Sequence, residues 1–381
     1  MHILIAPNAF KHSLSASEAA MAIKEGLENS RLNSTTECFP IGDGGDGTGL
    51  LLSERLKGRR VEAKVHDPLG RKINSGYTLA EDHMAIIELA EASGLRLLKK
   101  GERDPLHATT YGTGELIRHA LDHNVRKIVL CIGGSATVDG GTGILQALGI
   151  SLLDKKRNAI TDLPKGLKQL KSIDDSALDK RILTTELIIL CDVENPLLGE
   201  NGAAVVFGPQ KGAGKKQVRE LEGILSTFSQ ETLRHTGKET GAIKYGGAAG
   251  GTAAGLFAHL NAHLKHGIDQ YLEITGFDLA LVSADLVITG EGSIDEQTLR
   301  GKGPMGVAVR AKQKGLPVIA IAGRVPLDPT TYIPYFDVLL PINHELMKEK
   351  DALLIARNNI KRTSEMIGNM LAGGRIIDGR R

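Results

Sequence analysis

The chain has 381 residues, 41% of them hydrophobic, so it has ample apolar material for a core and exceeds the length of an average domain. Lysine plus arginine (47) nearly balances aspartate plus glutamate (45), and tryptophan is absent, so the chain offers no basic field or base-stacking surface and we expect no nucleic-acid partner. No apolar run reaches the length of a membrane span and the N-terminus lacks a signal pattern, so we expect a cytoplasmic protein with no membrane partner.

Short apolar runs bounded by glycine or proline alternate with helical patterns, which is typical of an α/β protein. Near the N-terminus, Ser15 and Glu18 form a capping-box pattern that predicts the start of a helix. In chain order, this region predicts a strand at 2–6, a helix from Ser15 to about Ser30, a strand at 38–41 and a helix from Thr48.

The pattern changes at Val61, where alternating apolar residues and an Asp67-Pro68-Leu69-Gly70 turn favour antiparallel hairpins over a βαβ crossover. The elements predicted next are a helix at 113–122, a strand at 127–132, a helix after Gly141, a strand at 187–192, and helices at 215–234 and 251–264. This region is typical of a mixed α/β domain.

Near Asp285, compact apolar runs indicate that a parallel sheet resumes. They predict strands at 285–290, 317–323 and 336–342 and a helix at 307–314. We therefore predict two α/β domains: a Rossmann/flavodoxin-like domain built from both chain ends, 1–60 plus 285–381, and an inserted mixed α/β domain, 61–284.

Glycine is over-represented, with 46 residues, and the excess is local. Five windows hold 26 of the glycines: 42–49, 133–149, 199–214, 246–255 and 290–306. Three cysteines lie far apart in apolar runs, which favours buried thiols over a zinc site or a disulfide.

The first window contains a formal dinucleotide match at Gly42, Gly44 and Gly47 between a strand and a helix. Asp43 and Asp46 argue against that match, because carboxylates in a pyrophosphate cradle would repel the ligand. Carboxylates on permissive backbone better suit Mg²⁺ or a base facing a hydroxyl. The alternative is that the aspartates only support a turn.

The second and third windows follow predicted strands. Residues 133–141 offer small side chains and N–H groups at a helix start, which indicates either an anion site or a tight packing turn, with Ser135 and Thr137 as further donors. Asp192 ends a strand where open α/β sheets present ligand groups. Lys211, on a glycine-flanked loop, either meets a phosphate or is a solvated surface charge.

The last two windows differ in chemistry. Residues 246–255 can bring backbone N–H groups to a phosphate or let helices pack closely, and the sequence favours neither. The fifth window carries the densest polar cluster in the chain: Glu291, Asp295, Gln297, Thr298 and Lys302. Lys11 and Ser13 follow the first strand, where a lysine can neutralise a phosphoryl group or pair with a substrate carboxylate.

Six ordered segments together resemble those of the bacterial glycerate kinases (type-1 family): IAPNAFKHSLSA, PIGDGGDGT, GGSATVDGGTG, CDVENPLLGENGAAVVFGPQKGA, GGAAGGTAAGL and ADLVITGEGSIDEQTLRGKGPMGVA. The resemblance covers essentially the whole chain. It implies ATP- and Mg²⁺-dependent phosphorylation of D-glycerate, usually at the 2-hydroxyl, with the active site in a cleft between two α/β domains. The family pattern more often has aspartate-serine at Asn8-Ala9, glycine at His12 and glutamate at Asp46. The family is unrelated to P-loop kinases, and the chain has no GxxxxGK[ST] segment.

On this basis we predict that Lys11 and Lys302 hold phosphate or the glycerate carboxylate. Asp43, Asp192 and Asp295 would supply Mg²⁺ ligation and the base for the attacked hydroxyl, with Asp192 and Asp295 as the metal ligands. The loops at 133–141 and 246–251 would cradle the nucleotide phosphates. The predicted binding residues are Ser13, Gly44, Gly45, Gly133, Gly134, Ser135, Thr137, Asn195, Lys211, Gly250, Gly251, Glu291 and Lys302.

Two other functions stay open from the residues alone. A dehydrogenase would use the loop at Gly42 as a dinucleotide cradle, and a non-catalytic sugar-acid sensor would keep the ligand site without the chemistry. The retained lysines and aspartates speak against the sensor. The predicted partners are the small molecules D-glycerate and ATP, and a homo-oligomer is compatible with the sequence.

Overall fold

A computed structural model describes residues 1–299, 301–345 and 348–378. The chain divides into two compact units: unit 1, Met1–Asp43 with Ile268–Arg381, and unit 2, Gly44–Gly267. Both boundaries lie earlier in the chain than the predicted 60/61 and 284/285. The change of pattern at Val61 marks the first hairpin inside unit 2, whereas the unit itself begins in the preceding glycine loop, where the backbone is permissive.

The strands in the described residues are β1 His2–Pro7, β2 Thr35–Cys38, β3 Arg59–His66, β4 Lys72–Ala80, β5 Met84–Glu88, β6 Lys127–Cys131, β7 Ser151–Leu153, β8 Ser172–Asp174, β9 Glu186–Cys191, β10 His263–His266, β11 Leu286–Ser293, β12 Val318–Arg324 and β13 Val338–Pro341. Most of the predicted strands are present within a few residues of the expected bounds. The second strand lies at Thr35–Cys38 rather than at 38–41.

The α-helices in the described residues are α1 Ala16–Asn29, α2 Thr48–Arg55, α3 Ala90–Ser93, α4 Tyr111–Asp122, α5 Thr142–Ala147, α6 Ala203–Phe207, α7 Lys215–Thr236, α8 Thr252–Leu260, α9 Gly267–Ile274, α10 Phe277–Ala280, α11 Glu296–Leu299, α12 Gly303–Gln313, α13 Glu349–Leu354 and α14 Ala356–Asp378. Short 3-10 turns lie at Leu95–Leu97, Lys100–Glu102, Lys165–Gln169, Lys180–Thr184, Pro209–Lys211 and Leu281–Ser283. None of these helices is both long enough and apolar enough to cross a membrane.

Unit 1 is built on a parallel sheet whose described strands have the order β13-β12-β11-β1-β2. Counted in chain order within the unit, this is the 2-1-3-4-5 order of flavodoxin-like folds. The inner strands are continuous apolar runs because helices cover both faces of such sheets. The predicted α/β class, with a Rossmann/flavodoxin-like sheet, is confirmed.

The helix α1 begins as the capping-box pattern predicts. The Ser15 hydroxyl accepts a hydrogen bond from the Glu18 amide, while the Glu18 carboxylate accepts one from the Ser15 amide. Gly26 lets α14 approach closely, since a Cβ there would lie 2.2 Å from the Lys361 carbonyl oxygen. The close approach of α1 and α14 joins the two chain ends into one unit.

Unit 2 is built on a mixed sheet whose described strands have the order β10-β9-β6-β5-β4-β3. The pairs β3–β4 and β4–β5 are antiparallel, as the hairpin pattern predicts, and the pairs β5–β6, β6–β9 and β9–β10 are parallel. The strands β7 and β8 form a separate antiparallel pair. The predicted helix at 251–264 is too long. Asn261 adopts a left-handed conformation that ends α8, and His263–His266 becomes the edge strand β10.

Each unit has its own apolar cluster, centred on β1 and α1 in unit 1 and on β6, β9 and α4 in unit 2. The three cysteines are free thiols. Cys131 and Cys191 are buried, which raises the pKa of both thiols, whereas Cys38 is half-buried. The prediction of buried thiols is therefore confirmed for Cys131 and Cys191.

Candidate functional site

In unit 1 the polar side chains gather at the carboxyl ends of β1 and β11, which are neighbours in the sheet. Pro7 lies opposite Gly290 in the register, and the Asn8 amide donates a hydrogen bond to the Gly290 carbonyl at 2.8 Å. After β1 the chain moves to one side of this pair, and after β11 it moves to the other. Such a switch point is where open α/β sheets place ligands.

Asn8 holds Asp43 in place at this edge. The Asn8 side-chain Nδ2 donates to Asp43 Oδ2 at 2.9 Å, and Asn8 Oδ1 accepts from the Ala9 amide at 2.8 Å. Asn8 is buried, so both ends of its amide are paired within the protein. Asn8 is not among the predicted site residues, but it orients Asp43, which is one of them.

Glu291 lies at the end of β11 and is almost completely buried. Thr298 donates its hydroxyl hydrogen to Glu291 Oε1 at 2.6 Å, and the Asp295 amide donates to the same hydroxyl at 3.1 Å. Burial raises the pKa of Glu291 to about 7, against the opposing effects of Thr298 and Lys302. A buried carboxyl group in a cavity lined by charged side chains is typical of a functional site.

We expect the substitution Glu291→Gln to stabilise the protein at pH 8 and to leave its stability unchanged at pH 4. Folding raises the pKa of this carboxyl from 4.5 to about 7, so the folded state binds more protons between these values and stability falls as pH rises. The glutamine side chain keeps an oxygen that accepts from Thr298 and removes the buried negative charge. Above pH 7 that charge lowers the free energy of unfolding of the wild type by roughly 3 kcal/mol. Urea unfolding at both pH values tests this, and an equal effect at pH 4 and pH 8 would contradict it.

A cavity of about 680 Å³ opens beside this network. Its charged and polar lining includes Lys11, Ser13, Glu291, Asp295, Lys302 and Arg324. The volume lies within the range of pockets that hold drug-sized ligands. The structure thus brings together, in unit 1, five of the residues predicted from the sequence.

The predicted side chains around this cavity differ in how they are held. Lys11 is exposed, and Lys302 donates from Nζ to Gln297 Oε1 at 2.8 Å. Ser13 donates its hydroxyl hydrogen to the Leu353 carbonyl at 2.8 Å, so it also anchors the chain near α13. Asp295 accepts a hydrogen bond from the Gln297 amide at 2.9 Å.

In unit 2 the central feature is Lys211, which is 3% exposed. Its Nζ donates to Ser135 Oγ at 2.6 Å and to the Thr137 carbonyl at 2.7 Å. Burial lowers the pKa of Lys211 to about 7, and Asp139 partly offsets this effect. The alternative of a solvated surface lysine is therefore wrong for this position.

Asp139 is completely buried, and four hydrogen bonds hold it at the start of α5. It accepts from the Thr110 amide at 2.8 Å, from the Thr110 hydroxyl at 2.7 Å, and from the amides of Gly141 and Gly143 at 3.0 and 3.2 Å. Burial raises its pKa despite these bonds. Asp139 shapes the loop that carries Ser135 and Thr137, and it supports the charge of Lys211.

The glycines of unit 2 serve close packing between loops. A Cβ at Gly250 would lie 2.0 Å from the Thr137 carbonyl oxygen, and one at Gly133 would lie 2.3 Å from the Asp46 amide nitrogen. Gly250 and Gly251 also have positive φ angles, +68° and +91°. Loop packing thus accounts for these positions, and their predicted contact with nucleotide stays a prediction.

The first glycine window forms a turn into α2. The Gly44 amide donates to the Thr48 hydroxyl at 3.1 Å, and Gly47 is the left-handed residue before the helix. Gly45 packs against Gly133, where a Cβ would lie 2.3 Å from the Gly45 carbonyl carbon. The predicted binding roles of Gly44, Gly45, Gly133 and Gly134 stay predictions.

Asp192 follows β9 and is exposed. It lines a cavity of about 120 Å³ together with Gly133, Gly134, Ser135 and Lys211. Asn195, further along this loop, donates from Nδ2 to the Asn201 carbonyl at 2.8 Å and so holds the loop itself. Unit 2 therefore places one predicted carboxylate and one buried predicted lysine on a single small cavity.

The two predicted metal ligands lie in different units, Asp192 in unit 2 and Asp295 in unit 1. Among the described residues, no group of three or more His, Cys, Asp or Glu side chains is arranged to hold a metal ion. Mg²⁺ commonly binds through one or two carboxylates together with substrate phosphates and water. The carboxylate oxygens of Asp43 and Asp295 have the chemistry that such a magnesium ion needs.

The sequence model of the glycerate kinase family matches residues 3–372. The chain belongs to the glycerate kinase family. It is 48% identical to a glycerate kinase of Halalkalibacterium halodurans, over 84% of this chain and 85% of that protein. It is 40% identical to the glycerate 2-kinase of Escherichia coli, over 98% of this chain and 99% of that protein. Membership in this kinase family confirms the resemblance and speaks against a dehydrogenase.

A solved structure gives the same result at the level of the fold. The crystal structure described as glycerate kinase 2 of Salmonella typhimurium LT2 matches with a TM-score of 0.85 and 42% identity, over 98% of this chain and 99% of that chain. The α/β architecture of this chain is thus similar to that of a solved glycerate kinase structure. The roles of individual side chains follow from their contacts.

Sequence reasoning missed several polar residues of these sites. Asp139 and Thr110 hold the loop beside Lys211, and Asn8 orients Asp43. Asp139 lies in the segment GGSATVDGGTG, so an acidic side chain among glycines could have indicated it from the sequence. Thr110 has no such signal, because only the fold brings it to Asp139.

Proposed function

We propose that the protein transfers the γ-phosphoryl group of ATP to the 2-hydroxyl of D-glycerate, yielding 2-phosphoglycerate and ADP. The observation that carries this proposal is the constellation at the β1–β11 edge, where Lys11, Lys302, Asp295 and buried Glu291 line one cavity. Phosphoryl transfer depends mostly on positioning and charge neutralisation, which such a set supplies. The name of the Escherichia coli relative, glycerate 2-kinase, supports the 2-phosphate product over 3-phosphoglycerate.

The cavity in unit 1 suits the phosphoryl donor. Its volume of about 680 Å³ accommodates a ligand larger than a three-carbon acid. Lys11 and Lys302 are the cations that we assign to the ATP phosphates, in place of the loops at 133–141 and 246–251 that are predicted from the sequence. Because burial keeps much of Glu291 protonated near neutral pH, this carboxyl adds less negative charge to a site that receives phosphate.

Asp43 and Asp295 are the residues that we propose to hold a magnesium ion brought with ATP. When bound, Mg²⁺ neutralises charge on the phosphate oxygens. Asn8 orients the Asp43 carboxylate, and the Gln297 amide orients that of Asp295. This assignment gives Asp192, which the sequence predicts as a ligand, a different role.

We assign Asp192 as the base for the acceptor. The C2 hydroxyl proton of glycerate passes to the Asp192 carboxylate as the C2 oxygen forms its bond to the γ-phosphorus. The bond from that phosphorus to the bridging oxygen breaks, and ADP leaves with the electron pair. The exposed carboxylate of Asp192 is suited to accept a proton from a bound hydroxyl.

The product identifies the reaction directly. We expect ATP, Mg²⁺ and D-glycerate with the purified protein to yield a new phosphorus resonance that matches 2-phosphoglycerate, with stoichiometric ADP. Phosphorus NMR distinguishes it from 3-phosphoglycerate, and L-glycerate serves as the control acceptor. Formation of 3-phosphoglycerate would contradict the regiochemistry, and ATP consumption without a phosphoglycerate would contradict the function.

A further inference from the structure

The small cavity in unit 2 points to a subsite for the carboxylate of the acceptor, and we propose that the buried ammonium of Lys211 binds that carboxylate. This inference rests on the proposed phosphorylation of D-glycerate and names how that substrate is recognised. It makes Lys211 the residue that selects an acid over a neutral polyol or amide. Four features of the site support it.

The first feature is the state of the ammonium. The acceptors in contact with Lys211 Nζ, the Ser135 hydroxyl and the Thr137 carbonyl, are both neutral. An ammonium has three N–H donors, and the described residues provide these two acceptors for it. A cation that is 3% exposed and hydrogen-bonded only to these neutral groups is costly to keep charged, a cost that Asp139 offsets only in part and that an anionic ligand would lower further.

The second feature is how firmly Lys211 is held. It ends the 3-10 turn Pro209–Lys211, and the next residue, Gly212, has a φ of +105°. A Cβ at Gly212 would lie 2.5 Å from the Arg103 carbonyl oxygen. The backbone is thus constrained directly after the turn, and the burial of Lys211 shows that its side chain is directed inward rather than into solvent.

The third feature is size. The cavity that Lys211 lines has a volume of about 120 Å³. This lies well below the roughly 300–1,000 Å³ of pockets that hold drug-sized ligands, so the cavity is better matched to a three-carbon hydroxy acid than to a whole nucleotide. The cavity therefore suits a small oxyanion, which is either the carboxylate of glycerate or a phosphate group.

The fourth feature decides between these anions. Asp192 lines the same cavity, and its negative charge disfavours a phosphate that carries two charges more than a carboxylate that carries one. In a 2-hydroxy acid the hydroxyl is attached to the carbon next to the carboxylate. A carboxylate at Lys211 thus brings the 2-hydroxyl, rather than the more distant 3-hydroxyl, towards a base on the same cavity wall.

The substitution Lys211→Met tests the proposal, since methionine keeps an unbranched side chain and removes the charge. We expect kcat/KM for D-glycerate to fall about 10²-fold and the KM for ATP to stay within about twofold. The decisive readout is D-glyceramide, the neutral analogue. The wild type should prefer the acid to the amide strongly, and the variant should accept both at similar low rates.

The matched control is Lys216→Met, which removes an exposed lysine from α7 and should change none of these values. Thermal unfolding should show that Lys211→Met is folded, since the substitution removes a buried charge. A fall of equal size for the acid and the amide would assign Lys211 a structural role and overturn the proposal. A rise in the KM for ATP with no change for glycerate would assign the subsite to nucleotide phosphate and also overturn it.

Calorimetric titration without ATP separates this proposal from the proposed function. Among the described residues, the charged groups near Lys211 include Asp139, Asp192 on the same cavity, and Arg103, whose guanidinium donates to the adjacent Gln210 carbonyl. Because the pKa of Lys211 is about 7, a bound carboxylate draws a proton onto it at pH 8. We expect D-glycerate to bind the wild type with proton uptake, and Lys211→Met to lose both. Binding that persists unchanged in the variant overturns the subsite, whatever the outcome of the kinase assay.

Discussion

Replacing Asp192 by asparagine should lower kcat about 10³-fold while leaving the KM values for D-glycerate and ATP within about threefold of the wild type. Asparagine has the same shape as aspartate, and its amide does not take up the hydroxyl proton. Asp192 is exposed at the end of β9, so the change removes a solvent-accessible carboxylate rather than a group of the core. Steady-state kinetics with both substrates varied measures the effect.

The neighbouring residue Glu194 provides the control for this prediction. It is exposed on the same loop and pairs with Lys244 at 2.8 Å, an exposed ion pair of small energetic value. Glu194→Gln should leave kcat unchanged. If Asp192→Asn kept more than about a tenth of the wild-type kcat, Asp192 would not be the base.

Replacing Gly250 by alanine should destabilise unit 2 by roughly 3–5 kcal/mol. The residue has a φ of +68°, and its new Cβ would lie 2.0 Å from the Thr137 carbonyl oxygen. That carbonyl accepts a hydrogen bond from Lys211, and the Gly250 carbonyl accepts one from the Gly140 amide at 3.0 Å. Relief of the clash therefore separates two loops that hydrogen bonds join.

Chemical unfolding measures this loss, with Gly223→Ala as the matched control. Gly223 lies within α7, where an added Cβ would meet no atom within 4 Å. Alanine there should stabilise the helix by up to about 1 kcal/mol. Equal effects at both glycines would show that Gly250 is not constrained by the Thr137 loop.

Individual helices, strands and turns could be predicted from the sequence because the patterns that indicate them span only a few consecutive residues. Ser15 and Glu18 lie one helical turn apart, so the capping box that starts α1 is visible in four consecutive residues. The continuous apolar run of β1 and the turn at Asp67–Gly70 are equally short-range. Asn261 is the contrasting case, since α8 ends there and gives way to an edge strand that forms only beside β9.

Part of the candidate site could be predicted from the sequence, because acidic residues and lysines next to glycines can be recognised without knowledge of the fold. Lys11, Glu291, Asp295 and Lys302 do line one cavity, although Lys11 lies far from the others in the chain. The sequence placed Asp192 and Asp295 together as metal ligands, and the structure assigns them to different units. Sequence spacing carries no information on which loops meet at a sheet edge.

By itself the sequence determined the family, the α/β class and the polar residues available for phosphoryl transfer, since these depend on ordered motifs and local periodicity. Only the tertiary structure decided which of those residues are buried. Lys211 and Lys302 both lie on loops that contain glycine, yet Lys211 is buried against Ser135 and Thr137 while Lys302 is partly exposed. Burial is set by residues distant in the chain, and it is burial that brings the pKa of Lys211 and of Glu291 to about 7.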